Sequence, residues 1–372
     1  MKSVCILTSG YLRDNARNFQ RQAKSILSFG FNVSILTNDG GNDECIDGID
    51  IYCTKFWKSR IMILLFAWKQ FYHKSININA DIYLIHSPEL LLLGLLLKLK
   101  GKKVIYDAHE DLPNHIIEKE WLPRLTRKTI SYFTSIYMNF VFSKIDAVIS
   151  PHTHVLDRYS SINKNCILIA NFPLYLSNLK VSYSEYCKRG KVICYSGTCY
   201  PHSNQLQILE AIKDFEFLSY SIAGFIPEDL YFKMQEHVSF SKVNFLGMIK
   251  YKSLKDFYKK AQIGLVIMDY KLNLGGKRGT FAVNKIFEYM EAGLPIICSD
   301  YDLWIELIDK YKCGLYVKPG DIIEIKKAIK YLYENPKIAY KMGQNGINAI
   351  DKEYNWKVEE NKLRELFLNK LC

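Results

Sequence analysis

The sequence predicts an α/β protein built from two doubly wound, Rossmann-like parallel sheets, each covered by helices on both faces. Short β-branched runs alternate with longer helical patterns along all 372 residues, which is typical of parallel sheets. This rhythm restarts after residues 171–173, and a domain size of roughly 150 residues gives two domains for this length. We expect an N-terminal domain over 1–175, a C-terminal domain over 176–352, and a last helix over 353–372 that packs back toward the N-terminal domain.

The elements of the first half follow from this alternation. Strands are predicted near 3–8, 33–37, 82–85, 103–106, 146–149 and 166–169. Helices are predicted at 17–29, 88–99 and 123–143.

The second half repeats the pattern. Strands are predicted near 191–195, 219–223, 243–246, 263–267, 295–298 and 314–317. Helices are predicted at 203–214, 252–260, 284–292, 321–333 and 336–350. The segment 174–190 is polar and without clear periodicity, so we interpret it as the linker between the domains.

Functional residues are expected in the loops that follow the strands, because doubly wound sheets bind ligands beyond the carboxyl ends of their strands. Two such domains that face each other would form a cleft. The candidate loops are 9–10, 86–89, 107–110, 196–198, 247–248 and 269–280.

The balance of charge predicts a negatively charged partner. The chain has 50 Lys and Arg against 38 Asp and Glu, a formal net charge of +12. An anionic membrane surface and a phosphorylated substrate both fit this charge. Nucleic acid is not expected, because the basic clusters accompany no recognisable nucleic-acid-binding module.

The N-terminal segment and the hydropathy pattern predict the location. Only five apolar residues precede Thr8 in the N-terminal segment, which is too short a run for a signal peptide. No run reaches the ~18 apolar residues of a membrane span. We expect a cytoplasmic protein, with peripheral binding to the inner face of the cytoplasmic membrane left open.

A basic, glycine-rich loop followed by a helix suggests a phosphate site. Residues 275–279 include Lys277 and Arg278, and they precede the predicted helix that Gly293 ends. A helix N-terminus attracts anions, and Glu288, one turn inside the helix, could accept hydrogen bonds from the vicinal hydroxyls of a ribose. An ordinary solvated loop and helix explain these residues equally well.

Residues 284–295 resemble the most recognisable segment of the family 4 retaining glycosyltransferases, which have the GT-B fold of two Rossmann-like domains facing a cleft. In that family the glutamate that matches Glu288 binds the donor ribose. Other segments along the chain also match the family, and they occur in the same order as in the family: 86–91, 104–110, 146–150, 171–173, 195–197, 244–247 and 313–321.

The resemblance implies transfer of a sugar from a nucleotide diphosphate sugar to an acceptor hydroxyl, with retention and without a metal or other cofactor. It implies His109 and Glu288 as catalytic residues, with His109 nearest the reacting sugar. The expected donor-binding residues are Gly10, Gly197, Thr198, Gly247, Met248, Lys277, Arg278, Asn284, Lys285 and Glu288.

Acceptor contacts are expected from Asp14, Arg17, Asp107 and Glu110. For Asp14 and Arg17, a surface ion pair at i and i+3 is the alternative. The two histidines at 152 and 154 lack a third ligand, so we interpret them as cleft or surface residues rather than as a metal site.

Two departures from the family pattern affect the donor site. Thr280 stands where the family commonly has a first glutamate, and residues 198–204 lack the Arg or Lys that neutralises the donor diphosphate. Our hypothesis is that Lys277, Arg278 or Lys285 takes over this charge, because a departing diphosphate needs a fixed cation.

Two stretches without acidic residues suggest contact with an anionic membrane. Residues 51–74 include Lys55, Lys58, Arg60, Lys69 and Lys74 among aromatic side chains, and 121–145 has the same character. A helix packed in the core with a solvated basic rim is the alternative. A membrane surface would fit a lipid-linked glycan acceptor in O-antigen, capsule or lipopolysaccharide synthesis.

Two other functions remain open. One is a nucleotide-sugar epimerase of similar fold, and the other is a catalytically silent scaffold that binds nucleotide sugars. A Rossmann dehydrogenase is disfavoured, because residues 8–13 lack the G-x-G-x-x-G pattern.

Overall fold

The structure is a computed structural model that describes residues 1–10, 12–56, 66, 68–119, 121–174 and 181–371. The chain forms two compact units. The first comprises Met1–Asn171 together with Trp356–Cys372, and the second comprises Phe172–Asn355. The chain passes between the units after Asn171 and again after Asn355.

The first unit contains one sheet of eight strands. They are β1 (Ser3–Leu7), β2 (Asn32–Thr37), β3 (Glu44–Ile46), β4 (Ile49–Cys53), β5 (Ile82–Ile85), β6 (Lys103–Asp107), β7 (Ala147–Ser150) and β8 (Cys166–Leu168). Their order across the sheet is β3-β4-β2-β1-β5-β6-β7-β8, and β3 pairs with β4 antiparallel while the other pairs are parallel.

The hairpin of β3 and β4 is absent from the sequence-based prediction. Its turn consists of Asp47 and Gly48, which have φ angles of 52° and 79°. An Asp-Gly pair with two positive φ angles suits a two-residue hairpin turn. The flanking strands are short and partly polar, so their apolar pattern is too weak to identify them.

The strand order of the first sheet reverses beside β1, which pairs with β2 on one side and with β5 on the other. Ligands of doubly wound sheets bind at such a reversal. The loops after β1, β5 and β6 carry Gly10, His86 and His109. These three residues therefore lie at the edge of the sheet where a ligand site is expected.

Both faces of the first sheet are covered. Val4 of β1 packs in one core with Trp356 and Phe367, and Cys5 packs in the opposite core with Phe142. The C-terminal segment thus contributes to the core of the first unit.

The helices of the first unit include a wide, π-type turn over Ala16–Ala23 that continues as Lys24–Ser28. The others are Trp68–Ile78, Leu91–Leu99, Leu112–Ile117, Arg124–Phe142, Thr153–Tyr159, Trp356–Glu365 and Leu366–Lys370. None of the helices in the described ranges is long and apolar enough to span a bilayer.

The second unit contains a parallel sheet of six strands. They are β9 (Val192–Ser196), β10 (Ser219–Ala223), β11 (Val243–Phe245), β12 (Ile263–Val266), β13 (Ile296–Ser299) and β14 (Gly314–Val317). The order is β11-β10-β9-β12-β13-β14, so the reversal lies between β9 and β12. The loop after β9 begins at Gly197.

The helices of the second unit are Tyr183–Lys188, Gln205–Ala211, Glu228–Gln235, Tyr251–Lys259, Asn284–Glu291, Asp302–Tyr311, Ile322–Glu334 and Pro336–Lys352. The first of these corrects the prediction of a linker over 174–190. Ser182 and Glu185 form a reciprocal capping box at its N-terminus. The helix has only six residues, too few for a periodic apolar pattern to be visible.

The two units confirm the predicted fold class of two α/β domains with Rossmann-like parallel sheets.

Candidate functional site

A cavity of about 370 Å³ in the second unit opens at the carboxyl end of β9 and at the start of the helix Asn284–Glu291. It is lined by Ser196, Gly197, Leu254, Met268, Ala282, Val283, Asn284, Lys285 and Glu288. Four of the expected donor-binding residues thus share one cavity: Gly197, Asn284, Lys285 and Glu288. The cavity has the position of a ligand site in a doubly wound sheet.

The glycine turn after β9 requires glycine twice. Gly197 has a φ of 107° and Gly224, in the loop after β10, has a φ of 144°. A Cβ atom on Gly224 would lie 2.0 Å from the carbonyl oxygen of Gly197. The two backbones can pack this closely only without side chains, and this contact fixes the turn at the edge of the cavity.

Lys285 projects its ammonium group onto this turn. Its Nζ atom donates a hydrogen bond to the Tyr195 hydroxyl at 2.9 Å and lies 4.2 Å from the centroid of the Tyr195 ring. A Cβ atom on Gly197 would be 3.4 Å from the same Nζ. Among the described residues no carboxylate forms an ion pair with Lys285. The site therefore presents a held cation beside a helix N-terminus, which suits an anionic ligand.

The charge of Lys285 also acts on a neighbouring histidine. Burial lowers the pKa of His202 to about 4, and the positive charges of Lys271 and Lys285 contribute to this shift. His202 is thus neutral near pH 7, and the positive charge at this edge comes from the lysines.

Lys277 is engaged elsewhere. Its Nζ atom forms an ion pair with Asp300 at 2.7 Å, bonds the Tyr270 hydroxyl at 3.0 Å, and does not line the cavity. Arg278 is exposed, and the described part of the chain offers it no ion pair. Of the three cations in the hypothesis, only Lys285 lines the cavity.

Glu288 lies one helical turn after Lys285, on the same face. Its Oε2 atom is 2.7 Å from the Tyr258 hydroxyl, and the side chain is half-buried. Thr280, at the position of the missing glutamate, is buried. Its Oγ1 accepts a hydrogen bond from the Ala282 amide at 3.1 Å, and its carbonyl accepts one from Trp304.

The other expected donor-binding residues lie outside the lining of this cavity. The carbonyl of Thr198 accepts a hydrogen bond from the Tyr195 hydroxyl, and the carbonyl of Gly247 accepts one from the Gly224 amide. Met248 is 78% exposed. Gly10 belongs to the first unit, where its amide donates to Asn38.

Arg17 and Asp107 form a buried ion pair in the first unit. The guanidinium binds the carboxylate with two hydrogen bonds, Nε to Oδ2 at 2.7 Å and Nη2 to Oδ1 at 2.8 Å. The side chains are only 4% and 0% exposed, and Gln22 adds a third hydrogen bond at 2.7 Å. Burial alone would raise the pKa of Asp107, but the Arg17 charge outweighs it and holds that pKa below its ordinary value.

This pair corrects the surface alternative for Arg17. Arg17 lies in the wide turn Ala16–Ala23, which turns its side chain inward toward the end of β6, whereas Asp14 is exposed. A buried carboxylate at that position requires a cation, and Arg17 provides it. Arg17 and Asp107 therefore hold each other at the edge where acceptor contacts are expected.

The imidazole rings of His86 and His109 contact each other beside this ion pair. Nδ1 of His86 lies 2.7 Å from Nε2 of His109, and these atoms are 3.4 Å and 3.6 Å from Oδ2 of Asp107. Burial lowers the pKa of His109 to about 4 and that of His86 well below its ordinary value. Both rings are therefore neutral at pH 7.

His86, Asp107 and His109 have side chains of the types that bind metal ions. The ligand atoms of His86, Asp107 and His109 lie within 4.8 Å of one another. Both carboxylate oxygens of Asp107 already accept hydrogen bonds from Arg17, whose positive charge would repel a metal cation. These three side chains therefore fit a hydrogen-bonded network with Arg17 better than a metal site.

Residues around His109 hold its loop. Nε2 of His152 lies 2.8 Å from the His109 carbonyl, and His152 is buried, which excludes the surface position among its two expected ones. Glu110 is exposed and bonds His115.

Sequence reasoning placed His86 in a candidate loop without giving it a role, and it missed Tyr195 and Tyr258 as members of these sites. The signals available for His86 and Tyr195 were their positions at strand ends and the family resemblance of the segments that contain them. Tyr258 lies inside a helix, and its contact with Glu288 spans 30 residues of sequence. Nothing in the local sequence indicates that contact.

Comparisons with known proteins agree with this architecture. Residues 185–349 match the family described as Glycosyl transferases group 1. An uncharacterized glycosyltransferase of Methanocaldococcus jannaschii is 24% identical over 322 residues, which cover 81% of this chain and 78% of the relative.

Solved structures match the whole chain. Sucrose-phosphate synthase from Thermosynechococcus elongatus superposes with a TM-score of 0.76 at 14% identity, covering 99% of this chain and 98% of that one. Anabaena HepE, in complex with UDP and glucose, gives 0.71 at 11% identity and 99% coverage of both chains. A glycosyltransferase from Rickettsia africae gives 0.70 at 13% identity, with 99% coverage of both chains. The fold is therefore that of the GT-B proteins, and the protein is a glycosyltransferase whose residues 185–349 match the Glycosyl transferases group 1 family.

Proposed function

We propose that the protein is a retaining glycosyltransferase of family 4 that moves a sugar from a nucleoside diphosphate sugar to a hydroxyl group of a glycan acceptor. One observation carries this proposal. Lys285 and Glu288 lie on one face of the helix Asn284–Glu291 and line the same cavity. A cation and a carboxylate one helical turn apart match the diphosphate and the ribose of such a donor.

Lys285 would bind the donor diphosphate. Its ammonium is held over the Tyr195 ring, beside the Gly197 turn and the start of a helix. Negative charge builds on the diphosphate as the sugar leaves, and a fixed cation together with helix amides stabilises that charge. We propose that these groups do so without a metal or other cofactor.

His109 would contact the transferred sugar. Because burial keeps its pKa at about 4, the imidazole is neutral at pH 7 and would act as a hydrogen-bonding group rather than as a cation. Arg17 and Asp107 would fix the surrounding edge of the sheet for the acceptor.

Binding and transfer are tested separately. In differential scanning fluorimetry, at least one of UDP, GDP, ADP and their glucose conjugates should raise the melting temperature of the protein. The variants Lys285→Met and Glu288→Ala should lose that shift, while Lys326→Met, at a surface lysine paired with Asp214, should keep it. Proton NMR of the anomeric signal in the product distinguishes retention from inversion, and an inverted product would contradict the retaining assignment.

The acceptor is proposed to be lipid-linked, in the synthesis of a surface polysaccharide such as O-antigen, capsule or lipopolysaccharide. The supporting feature is the helix Arg124–Phe142, which packs Met138 and Phe142 inward. Its opposite face exposes large apolar side chains: Leu125, Tyr132, Phe133, Ile136 and Phe140.

Cations lie near both ends of this helix, which suits an anionic bilayer. Arg124, Arg127 and Lys128 belong to its N-terminal end, Lys144 follows its C-terminal end, and residues 121–145 contain no acidic residue. Basic residues beside interfacial aromatics favour such a membrane surface. In the other basic stretch, Trp57, Lys58 and Arg60 lie outside the described residues.

Vesicle flotation tests the membrane proposal. The protein should float with vesicles that contain phosphatidylglycerol and remain unbound with phosphatidylcholine alone. A Phe133→Ser, Phe140→Ser double variant should float less, whereas Phe217→Ser, at an exposed phenylalanine of the second unit, should float as the wild type does. Equal recovery with both vesicle types would contradict an anionic-surface role.

A further inference from the structure

We propose that Tyr258 is a positioning residue that holds the Glu288 carboxylate ready for the ribose hydroxyls of the donor. This inference rests on the proposed donor role of Glu288. Tyr258 lies on the helix Tyr251–Lys259, outside the glycine turn and outside the helix that carries Glu288.

The phenol of Tyr258 links the carboxylate to the sheet. Its oxygen is 2.7 Å from Oε2 of Glu288 and 2.9 Å from Oγ of Ser196, the last residue of β9. The amide of Ser196 in turn donates to the Tyr289 hydroxyl at 3.0 Å. The carboxylate is thus tied through Tyr258 to Ser196, at the strand end where the glycine turn begins, and Tyr289 holds the backbone of the same serine.

The aromatic rings around this link are immobilised by packing. Tyr258 is 3% exposed, and its ring meets the fully buried ring of Tyr289 edge-on, with centroids 5.3 Å apart and planes at 87°. A ring held on its edge in this way fixes the position of its hydroxyl. The hydroxyl can therefore orient Glu288 instead of following it.

The proton on this phenol is retained at working pH. Burial, followed by the negative charge of Glu288, raises the pKa of Tyr258 far above its ordinary value. A phenol has one proton to donate, and the carboxylate is the stronger acceptor at the shorter distance. The charge-assisted hydrogen bond therefore goes to Glu288, and the hydroxyl of Ser196 completes the link as donor.

This arrangement gives the two carboxylate oxygens of Glu288 different functions. Oε2 is held by Tyr258, and the described residues provide no hydrogen bond to Oε1. The Glu288 side chain lines the cavity. Oε1 remains as the acceptor for a ribose hydroxyl. A glutamate without the phenol would sample several rotamers and would lose that freedom only on binding the donor, which weakens binding.

The test removes only the hydroxyl, with Tyr258→Phe. The probe is whichever of UDP, GDP and ADP binds tightest to the wild type, compared with its 2′,3′-dideoxy analogue, by isothermal titration calorimetry. The dissociation constant of the ribonucleotide should rise about tenfold in the variant, as expected for losing a charge-assisted hydrogen bond. That of the dideoxy analogue should stay within about twofold, because it has no hydroxyl for Glu288 to bind.

A matched control is Tyr186→Phe, which removes a hydroxyl that bonds the backbone carbonyl of Gln262 in the same unit. It should change neither dissociation constant. In steady-state kinetics, Tyr258→Phe should raise KM for the donor about tenfold and leave kcat nearly unchanged, because the orientation of Glu288 affects donor binding.

The outcomes separate this inference from the proposed function. If Tyr258→Phe weakens the ribonucleotide and the dideoxy analogue equally, or weakens neither, Tyr258 has no positioning role. If the wild type itself binds both nucleotides equally and Glu288→Ala changes nothing, the proposed donor role of Glu288 is wrong.

Discussion

Nδ1 of His86 and Nε2 of His109 lie 2.7 Å apart beside the buried carboxylate of Asp107. Between two neutral rings one nitrogen donates and the other accepts. Nε2 of His86 is buried without a hydrogen-bond partner among the described residues, and a buried N–H without a partner costs more than a bare acceptor. We infer that His86 carries its proton on Nδ1, where Asp107 also attracts it, and that His109 carries its proton on the opposite nitrogen.

The buried histidines should make stability depend on pH. Burial lowers the pKa values of His109 and His152 to about 4 from the ordinary value of 6.5, so between these values the unfolded chain binds more protons than the folded one. Stability should be full above about pH 7 and fall as the pH is lowered through 6.5 toward 4, by up to about 3 kcal/mol for one such histidine. The lowered pKa of Asp107 acts only below its ordinary value near 4 and leaves this window unaffected.

Urea unfolding of the wild type at several pH values between 5 and 8 measures this slope. His109→Gln does not titrate and should have a shallower slope, whereas the exposed His73→Gln should keep it. Identical slopes for all three proteins would show that His109 is not held neutral by the fold.

The ion pair of Arg17 and Asp107 should be strongly coupled. Replacing one partner leaves a buried charge without compensation, so Arg17→Met or Asp107→Leu should each destabilise the protein by about 3–5 kcal/mol. The double variant should recover a large part of that loss, because neither charge remains. Urea unfolding of the four proteins gives the coupling energy, and additive losses would contradict a direct pair.

Much of the fold was predictable because buried parallel strands appear in the sequence as uninterrupted apolar runs. Val4 to Leu7 and Ile82 to Ile85 are such runs, and both strands were placed within a residue of their observed bounds. The short helices Leu112–Ile117 and Tyr183–Lys188 were missed, because six residues do not display a helical period.

The contacts of the sites were less predictable than the positions of their residues. Strand ends marked Asp107 and His109, but the partner of Asp107 is 90 residues away along the chain, and a single sequence does not reveal such pairs. The sequence alone does not distinguish Lys277 from Lys285 as the cation of the donor site. Only the structure distinguishes them, because Asp300 neutralises Lys277 while Lys285 rests on Tyr195.

This distinction predicts unequal effects on catalysis. Lys285→Met should lower kcat/KM by roughly 100-fold or more, the order observed when one group that stabilises transition-state charge is removed. Lys277→Met should lower it by less than about fivefold, because that ammonium is already neutralised by Asp300. Initial rates with the donor that the thermal screen identifies provide the comparison. A larger loss of kcat/KM for Lys277→Met than for Lys285→Met would indicate that the glycine-rich loop, and not Lys285, binds the diphosphate.

The glycine turn of the proposed donor site should tolerate no side chain at Gly224. The added Cβ of Gly224→Ala would lie 2.0 Å from the Gly197 carbonyl oxygen, at a φ of 144°, so one of the two backbones must move. Gly247→Ala is the matched control, since φ there is also positive at 64° but no atom lies within 4 Å of the added Cβ. We expect a cost of about 1 kcal/mol for Gly247→Ala from the backbone conformation alone, and at least about 3 kcal/mol for Gly224→Ala. Thermal unfolding measures both. Equal stability of the two variants would mean that the close approach of Gly224 to Gly197 is not required. Nucleotide affinity should also fall in Gly224→Ala, because the displaced turn carries Gly197 away from Lys285.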